Sequence, residues 1–488
     1  MERMRRQGVV VGLPPIDGID LPHGLIHHGH TIMLKTCALS LVMLGLGMNL
    51  LPAEPAAKPN ILLILSDDQG YADLGFQGCK DIPTPHLDGL AGAGIHFNNG
   101  YVTHPFCSPS RAGMLTGRYQ QRFGHEQNPY YDPNDHREGL PVTETLLPKY
   151  LREAGYVTGW IGKWHLGAAP EFRPQARGFM ETFGFIGGGH HYLNWQVETN
   201  LDGREYNVPI ERNGVPVTVT NHLTLAFGDE GADFVRRHRD QPWFLYLAFN
   251  APHTPLEPTP ERLAKFKSIA DPKRRKYAAQ VSLLDDAVGT VLAALHESGQ
   301  DQRTLVFFFS DNGGPLGATG NGSINLPLRA GKGTVYEGGM HVPFVMSWPG
   351  TLPGGREYDY PVSSLDVFPT ALALAGAPMP TDKIHDGVNL LPYLTGVNTN
   401  APHDELFWRM NGGRQIAARV EDYKYIHIRN QPAELYNLAA DLSETNNLAG
   451  VQTNELNKLE GEVTNWNAQL VPPAFPGLAG HNKPPAEP

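Results

Sequence analysis

The chain predicts an α/β fold: a large, mostly parallel sheet with helices on both faces, followed by a smaller antiparallel α+β subdomain. Three observations carry this. Short runs rich in β-branched or aromatic residues, among them NILLILS at 60–66, WFLYLAF at 243–249 and TLVFFFS at 304–310, alternate with helical stretches. Such runs are apolar throughout, as a strand is when both its faces are covered. From about Asp404 the pattern shifts to closely spaced short strand candidates with a helix, which suits a separate antiparallel layer.

In chain order, residues 1–57 form a leader, with Met33, Leu34 and Lys35 ahead of an apolar run from about Cys37 to Leu51 and then Pro52 and Ala53. This is the pattern of a secretory signal, so the protein is expected to be exported, to the periplasm or the medium. The run falls short of the roughly 20 residues a spanning helix needs, which predicts no stable membrane span. Residues 58–403 form the main α/β unit, 404–470 the antiparallel subdomain, and 471–488 a loose tail rich in proline and small residues.

The first strand, 60–66, runs out into Asp67 and Asp68. Residues 144–155 read as an amphipathic helix closed by glycine, feeding a strand at 156–161 that leads into Gly162, Lys163, Trp164 and His165. The strand at 243–249 leads into Asn250, Ala251, Pro252 and His253. A helix is expected over 276–297, and the strand at 304–310 ends at Asp311 and Asn312. Polar residues thus recur where strands finish, and open α/β sheets bind ligands outside the carboxyl ends of their strands. Long glycine-rich loops at about 173–221 and 313–339 are expected to wall that pocket. Strand candidates follow at 406–410, 415–420, 423–428 and 434–438, then the run 441–448.

The 488 residues are 41% hydrophobic, enough for a large core, and the net charge of −11 with no basic run excludes a general nucleic-acid binder. Any anion must be held by a local cluster. Beyond the leader only Cys79 and Cys107 remain, so no disulfide framework holds the fold. A bridge between them would exclude the chemistry that follows.

Cys107, Ser108, Pro109, Ser110 and Arg111, continuing to Leu115, Thr116, Gly117 and Arg118, read as a reactive residue at a helix start. Pro109 suits the first helical position and Gly117 the end, which puts Cys107 just before an N-terminus that attracts anions. Asp67, Asp68, Asp311 and Asn312 form an all-oxygen set. Hard cations prefer such donors, so Ca2+ is the first choice and Mg2+ the second.

The pattern C-x-P-S-R…L-T-G-R resembles the activation signature of the type I, formylglycine-dependent sulfatases, arylsulfatase-like members of the alkaline-phosphatase-like superfamily. The resemblance spans about residues 60–448 and takes in the L-Y-x-L…D…E…N-L pattern at 435–448. It implies that a maturation enzyme converts Cys107 to formylglycine, whose hydrate joins Asp67, Asp68, Asp311 and Asn312 at the metal and supplies the nucleophile. It also implies a cationic and acid-base set in Arg111, Lys163 and His165 (GKWHLG), His253 (NAPHTP) and Lys332 (LRAGKGTVYEGG). In that scheme Asp311 accepts the nucleophile's proton. His253 with Lys332 protonates the departing alcohol, and His165 helps the aldehyde to re-form.

The expected activity is hydrolysis of a sulfate ester, with a sulfated carbohydrate as substrate. Two rivals stand beside it: a phosphodiesterase or phosphonate hydrolase of the same superfamily, and a sulfated-glycan binding protein without catalysis. No second-metal set of aspartates and histidines is evident for the first. Gly187, Gly188, Gly189, His190, His191, Tyr192 and Trp195 read either as a sugar subsite or as a glycine-rich loop with packing aromatics.

Overall fold

The computed structural model describes residues 58–193 and 205–478; the leader (1–57), Trp195 and the end of the tail (479–488) lie outside the described residues. The first half contains β1 (Asn60–Ser66), α1 (Pro85–Gly92), β2 (Ile95–Phe97), β3 (Gly100–Tyr101), α2 (Cys107–Thr116), α3 (Leu147–Glu153), β4 (Val157–Lys163), β5 (Glu181–Phe185), β6 (Glu211–Arg212), β7 (Val215–Pro216) and α4 (Leu223–Arg237). Then follow β8 (Trp243–Ala248), α5 (Pro260–Ala264), α6 (Pro272–Glu297), β9 (Thr304–Ser310), α7 (Glu337–Met340), β10 (Phe344–Ser347), β11 (Arg356–Tyr358), β12 (Val362–Ser363), α8 (Val367–Ala375) and α9 (Leu391–Leu394). The C-terminal part holds β13 (Glu405–Met410), β14 (Gln415–Val420), β15 (Tyr423–Ile428), β16 (Glu434–Asn437) and α10 (Thr453–Asn467).

Ten strands form one sheet in the order β11-β2-β10-β9-β1-β8-β4-β5-β6-β7. Its centre, β9-β1-β8-β4-β5, is parallel throughout, and antiparallel pairs enter at β10 and beyond β5. The continuous apolar runs are explained by the two layers they serve. Ile61, Leu63 and Leu65 pack with Ala112, Leu115, Leu147, Leu151 and Phe368 of α2, α3 and α8. Leu62 and Ile64 point the other way, into Leu87, Phe227, Phe234, Tyr277 and Leu284 of α1, α4 and α6. Alternate residues of one strand therefore feed two cores.

The smaller sheet runs β13-β14-β15-β16, antiparallel throughout. Phe407, Ile416, Ala418 and Tyr425 on one face meet Leu459, Val463 and Trp466 of α10, while Trp408, Ala417 and Ile426 join the core of the large sheet. Among the described residues one helix, α6, has the length and composition to cross a membrane, and most of its apolar window is buried in the protein.

Strand boundaries shift from expectation by one or two residues, as where β4 runs on to Lys163, and three helix starts depart as well. Cys107 is the first residue of α2 rather than the residue before it, and Pro109 is the third. Proline is tolerated there because the first four N–H groups of a helix have no intrahelical partner. The helix expected over 144–155 is confined to Leu147–Glu153, where Pro148 sits in its opening turn. The helix expected from 276 begins at Pro272, capped by the Asp271 carboxylate, which accepts the Lys273 N–H at 2.9 Å. The tail is engaged as far as it is described. Val471, Ala474 and Leu478 donate backbone N–H groups to Gln121, Gly124 and Asn128, and the buried Phe475 ring lies edge-on to His125.

Candidate active site

Helix α2 begins where the chain leaves β3, and Gly117 ends it in the left-handed region at φ 65°. This short helix points its first residue, Cys107, at the carboxyl ends of β1 and β9. The Cys107 thiol lies 3.4 Å from Asp67 Oδ1, and Lys332 Nζ lies 3.3 Å from the same sulfur. Asp67 and Asp68 continue directly from β1, and Asp311 and Asn312 from β9, its hydrogen-bonded neighbour. The Asp68 N–H reaches Asp311 Oδ1 at 3.3 Å, and Asn312 Nδ2 donates to Asp68 Oδ1 at 2.7 Å.

Each carboxylate has its own cation. Lys163, at the end of β4, places Nζ 2.6 Å from Asp67 Oδ2; Lys332 places its Nζ 2.6 Å from Asp68 Oδ1; Arg111, one helical turn after Cys107, meets Asp311 Oδ2 through Nε at 2.9 Å and Nη2 at 2.8 Å. Arg111 also donates to the Lys163 carbonyl at 3.1 Å and the Tyr246 hydroxyl at 3.4 Å. Arg111, Lys163, Asp67 and Asp311 are wholly buried. His253 Nε2 stands 3.5 Å from Asp68 Oδ2, while its Nδ1 engages the Thr254 carbonyl at 2.6 Å. His165 follows β4 as a buried residue at φ 59°, and Asp68 has φ 62°. Two non-glycine residues in the left-handed region at one site mark backbone held in place by its surroundings.

Burial and the charges set the protonation states. Burial would raise the Asp67 carboxyl, but Lys163, His253 and Arg111 overcome it and hold Asp67 far below the usual carboxylate range. Asp311 moves the other way, to about 6, because burial and the Asp67 charge outweigh Arg111 and Lys163. Burial, with Asp311 and Asp67, pushes the Cys107 thiol far up, so it is protonated as it stands. Burial and the Lys163 and Arg111 charges drive the His165 imidazole well below its ordinary value, and burial lowers His253.

The donors present suit a hard cation. Asp67, Asp68, Cys107 and His253 offer ligand atoms all within 4.8 Å of one another. Asn312 Oδ1 is buried with no hydrogen-bond partner among the described residues, the kind of orphan oxygen an ion satisfies. His253 lies inside this ligand-capable group, whereas Asp311 joins it through the Asp68 N–H and Arg111. A second acidic group, His86, Asp285 and Asp286, lies away from these residues, with Asp285 accepting the His86 and Leu87 N–H groups at the start of α1.

All ten residues singled out in the sequence are thus assembled at one end of the sheet. The cysteines remain free: Cys79 pairs with Asp81 Oδ1 at 3.1 Å and carries no bond to Cys107. Tyr192 is wholly buried and donates its hydroxyl toward the carbonyls of Asn250 at 2.6 Å and His253 at 2.9 Å. His190 is buried too, with its ring nitrogens on the His191 and Val208 carbonyls. These two therefore build the loop behind His253 rather than face solvent. Of the aromatic and histidine side chains in that segment, His191 is partly exposed, 2.7 Å from Glu257. Supporting residues went unseen in the sequence, two of them beside the site. Asn321 ties the Asp68 carbonyl to the Pro252 carbonyl through Nδ2, and Tyr246 braces Arg111. Neither sits in a motif, although an all-apolar strand with one tyrosine hydroxyl that must find a partner was a usable signal for Tyr246.

The sulfatase family model matches residues 59–377, and that for the C-terminal part of N-sulphoglucosamine sulphohydrolase matches residues 330–469. The chain is 35% identical over 438 residues to N-acetylgalactosamine-6-sulfatase of Mus musculus, covering 86% of this chain and 81% of that one. It is 36% identical over 387 residues to arylsulfatase A of Homo sapiens, covering 75% and 73%. Among solved structures, Ps i-CgsB in complex with k-i-k-neocarrahexaose superposes with a TM-score of 0.80 at 38% identity, over 86% of this chain and 94% of that chain.

Proposed function

The chain belongs to the sulfatase family, and from that premise we propose that it is an exported enzyme that hydrolyses sulfate esters of carbohydrates through a formylglycine made from Cys107. The observation that carries this reading is the place of Cys107, at the start of a helix and in contact with both Asp67 and Lys332. A carbohydrate substrate is supported by the similarity to N-acetylgalactosamine-6-sulfatase and to a structure that holds a neocarrahexaose. Export rests on the apolar run within the leader.

Asp67, Asp68, Asp311 and Asn312, with the residue 107 side chain, are the groups that would hold a divalent cation, Ca2+ by their oxygen chemistry and Mg2+ as the second choice. When bound, it supplies positive charge against the sulfate oxygens and makes a nearby hydroxyl more acidic. The rest is the work of the chain. Arg111, Lys163 and Lys332, with the α2 N-terminus, stabilise the anionic group and the charge that grows on the leaving oxygen, in a pocket where such interactions far exceed their strength in water.

One hydroxyl of the hydrated aldehyde attacks sulfur as Asp311, whose carboxyl burial and the Asp67 charge raise to about 6, takes its proton. The S–O bond to the alcohol breaks, and His253 with Lys332 delivers a proton to the leaving oxygen. The second hydroxyl then gives its proton to His165, a neutral imidazole in this setting. The C–O bond to sulfate breaks, the aldehyde re-forms and inorganic sulfate leaves. A serine would form the ester but lacks that second hydroxyl.

Mass spectrometry of the peptide containing residue 107, from protein produced with a formylglycine-generating enzyme, tests this directly. The expected fragment has a carbonyl oxygen in place of sulfur. Full activity in protein that carries only unmodified cysteine would refute the proposal.

A further inference from the structure

The loop that carries Lys332 is anchored from outside the large sheet, by a charged cluster buried beneath the small one. Lys424 of β15 places Nζ 2.6 Å from Glu337 Oε1 and 2.9 Å from Glu444 Oε1, and all three side chains are wholly buried. Glu444 Oε2 accepts the Glu337 backbone N–H at 2.8 Å. The second Glu337 oxygen takes the Tyr101 hydroxyl at 2.7 Å and His341 Nδ1 at 2.9 Å. Further ties reach the same loop from that sheet and the turn after it: Arg329 donates to the Tyr436 hydroxyl at 2.9 Å and the Glu444 carbonyl at 3.0 Å, and Tyr336 donates to Glu434 at 3.0 Å.

Between Ala330 and Gly339 the loop is too closely packed to bend independently. A Cβ at Gly338 would come within 2.3 Å of the Ala330 carbonyl oxygen, and one at Gly339 within 2.1 Å of the Thr334 oxygen. A displacement of Glu337 is therefore passed on to Lys332, whose Nζ lies 2.6 Å from Asp68 and 3.3 Å from Cys107. A catalytic group must be held to within about 0.5 Å. Buried ion clusters are a weak source of stability, because their desolvation cost rivals their attraction, so a dry triad converging on one loop is better explained by what it fixes.

The D…E…N-L pattern at the end of the small sheet now has a physical use. Asp441 accepts the Thr445 and Asn446 N–H groups and Asn447 accepts the Leu435 N–H, which fixes the turn where Glu444 sits at φ 53°.

We propose that Lys424 and Glu444 are positioning residues for Lys332, acting through Glu337, so that the small sheet forms part of the apparatus that lets the alcohol leave. The proposal rests on the reading that Lys332 assists that departure. The test compares 4-nitrophenyl sulfate, a good leaving group, with 4-methylphenyl sulfate, a poor one, in the full-length, matured enzyme. Lys332→Ala should lose far more rate on the poor ester.

Lys424→Met should lose about tenfold on the poor ester and under about threefold on the good one, a fraction of the 10²–10⁴ that general acid catalysis supplies. Combined with Lys332→Ala it should add nothing further. Should Lys424→Met fail to fold, Glu444→Gln, which keeps size and shape, carries the same comparison. Equal losses on both esters, or losses additive with Lys332→Ala, overturn the positioning role. A uniform loss in Lys332→Ala itself overturns the reading of Lys332, and the proposal with it.

Discussion

Removing one oxygen from the Tyr192 side chain should weaken both the fold and the catalysis. The hydroxyl lies 2.6 Å from the Asn250 carbonyl and 2.9 Å from the His253 carbonyl, at a residue with no exposed surface. Tyr192→Phe keeps the ring stacked on His222 and the backbone N–H on Glu257, so the hydroxyl alone is probed. A buried carbonyl left without its donor costs about 1–3 kcal/mol. The lower half of that range applies, because Asn250 O also accepts the His253 N–H at 2.8 Å and keeps one partner. Urea unfolding should show a loss of about 1–2 kcal/mol with an unchanged slope. The freed carbonyl belongs to His253, so kcat on a poor leaving group should fall about tenfold, the equivalent of 1.4 kcal/mol, with KM little changed. Stability within about 0.3 kcal/mol of wild type, with kcat intact, would refute the claim that this hydroxyl holds the His253 loop.

Chelation with EDTA should abolish activity and lower the thermal midpoint, with both restored by Ca2+ ahead of Mg2+; a cation held at 100 times its Kd adds about 2.7 kcal/mol. Asp285 should make stability fall between about pH 4 and pH 6: burial lifts its carboxyl from 3.8 to about 6, so the folded state binds the proton more tightly than the unfolded chain. Its charge penalty is absent below that window and amounts to at most about 3 kcal/mol above it. Asp285→Asn should flatten the pH profile of urea midpoints across the same window. Phe475→Ala, which empties a buried site against His125, should cost about 3 kcal/mol in denaturant unfolding.

What the sequence made legible follows from how each feature is encoded. The central strands could be read because both faces are buried, so Ile61 to Leu65 and Leu305 to Phe309 are apolar whichever way they point. The edge strands, of two or three residues, carry no such run. They owe their form to neighbours, as Ile95–Phe97 does to Phe344–Ser347. Asp67, Asp68, His165, Asp311 and Asn312 lie just after strands, and Cys107 and Arg111 share the start of one helix, so local motifs record them. Those that hold them in place are not so recorded. Tyr192, Asn321, Lys424 and Glu444 each reach partners about 60 to 250 residues away, and no local pattern encodes a partner so distant. Tyr192 was visible as a residue but not as a role, because only burial distinguishes a sugar platform from a loop brace.

Charge explains why a site meant for an anion contains so many acids. Arg111, Lys163 and Lys332 would by themselves attract a sulfate ester, yet Asp311, Asp67 and Asp68 pair with them one to one at 2.8, 2.6 and 2.6 Å. The formal sum is zero, and such a pocket has no net attraction for an anion. Three buried carboxylates are costly and oppose the substrate, so a site for sulfate alone would be better without them. Their presence becomes useful if they hold a divalent cation, which raises the pocket to +2 and leaves it attractive after the monoanionic ester has entered. Burial, together with the neighbouring Asp67 charge, is what lifts the Asp311 carboxyl to about 6. The cations thus have two partners to divide themselves between, the acids and the ester, and a divalent ion held by the acids would tip them toward the ester.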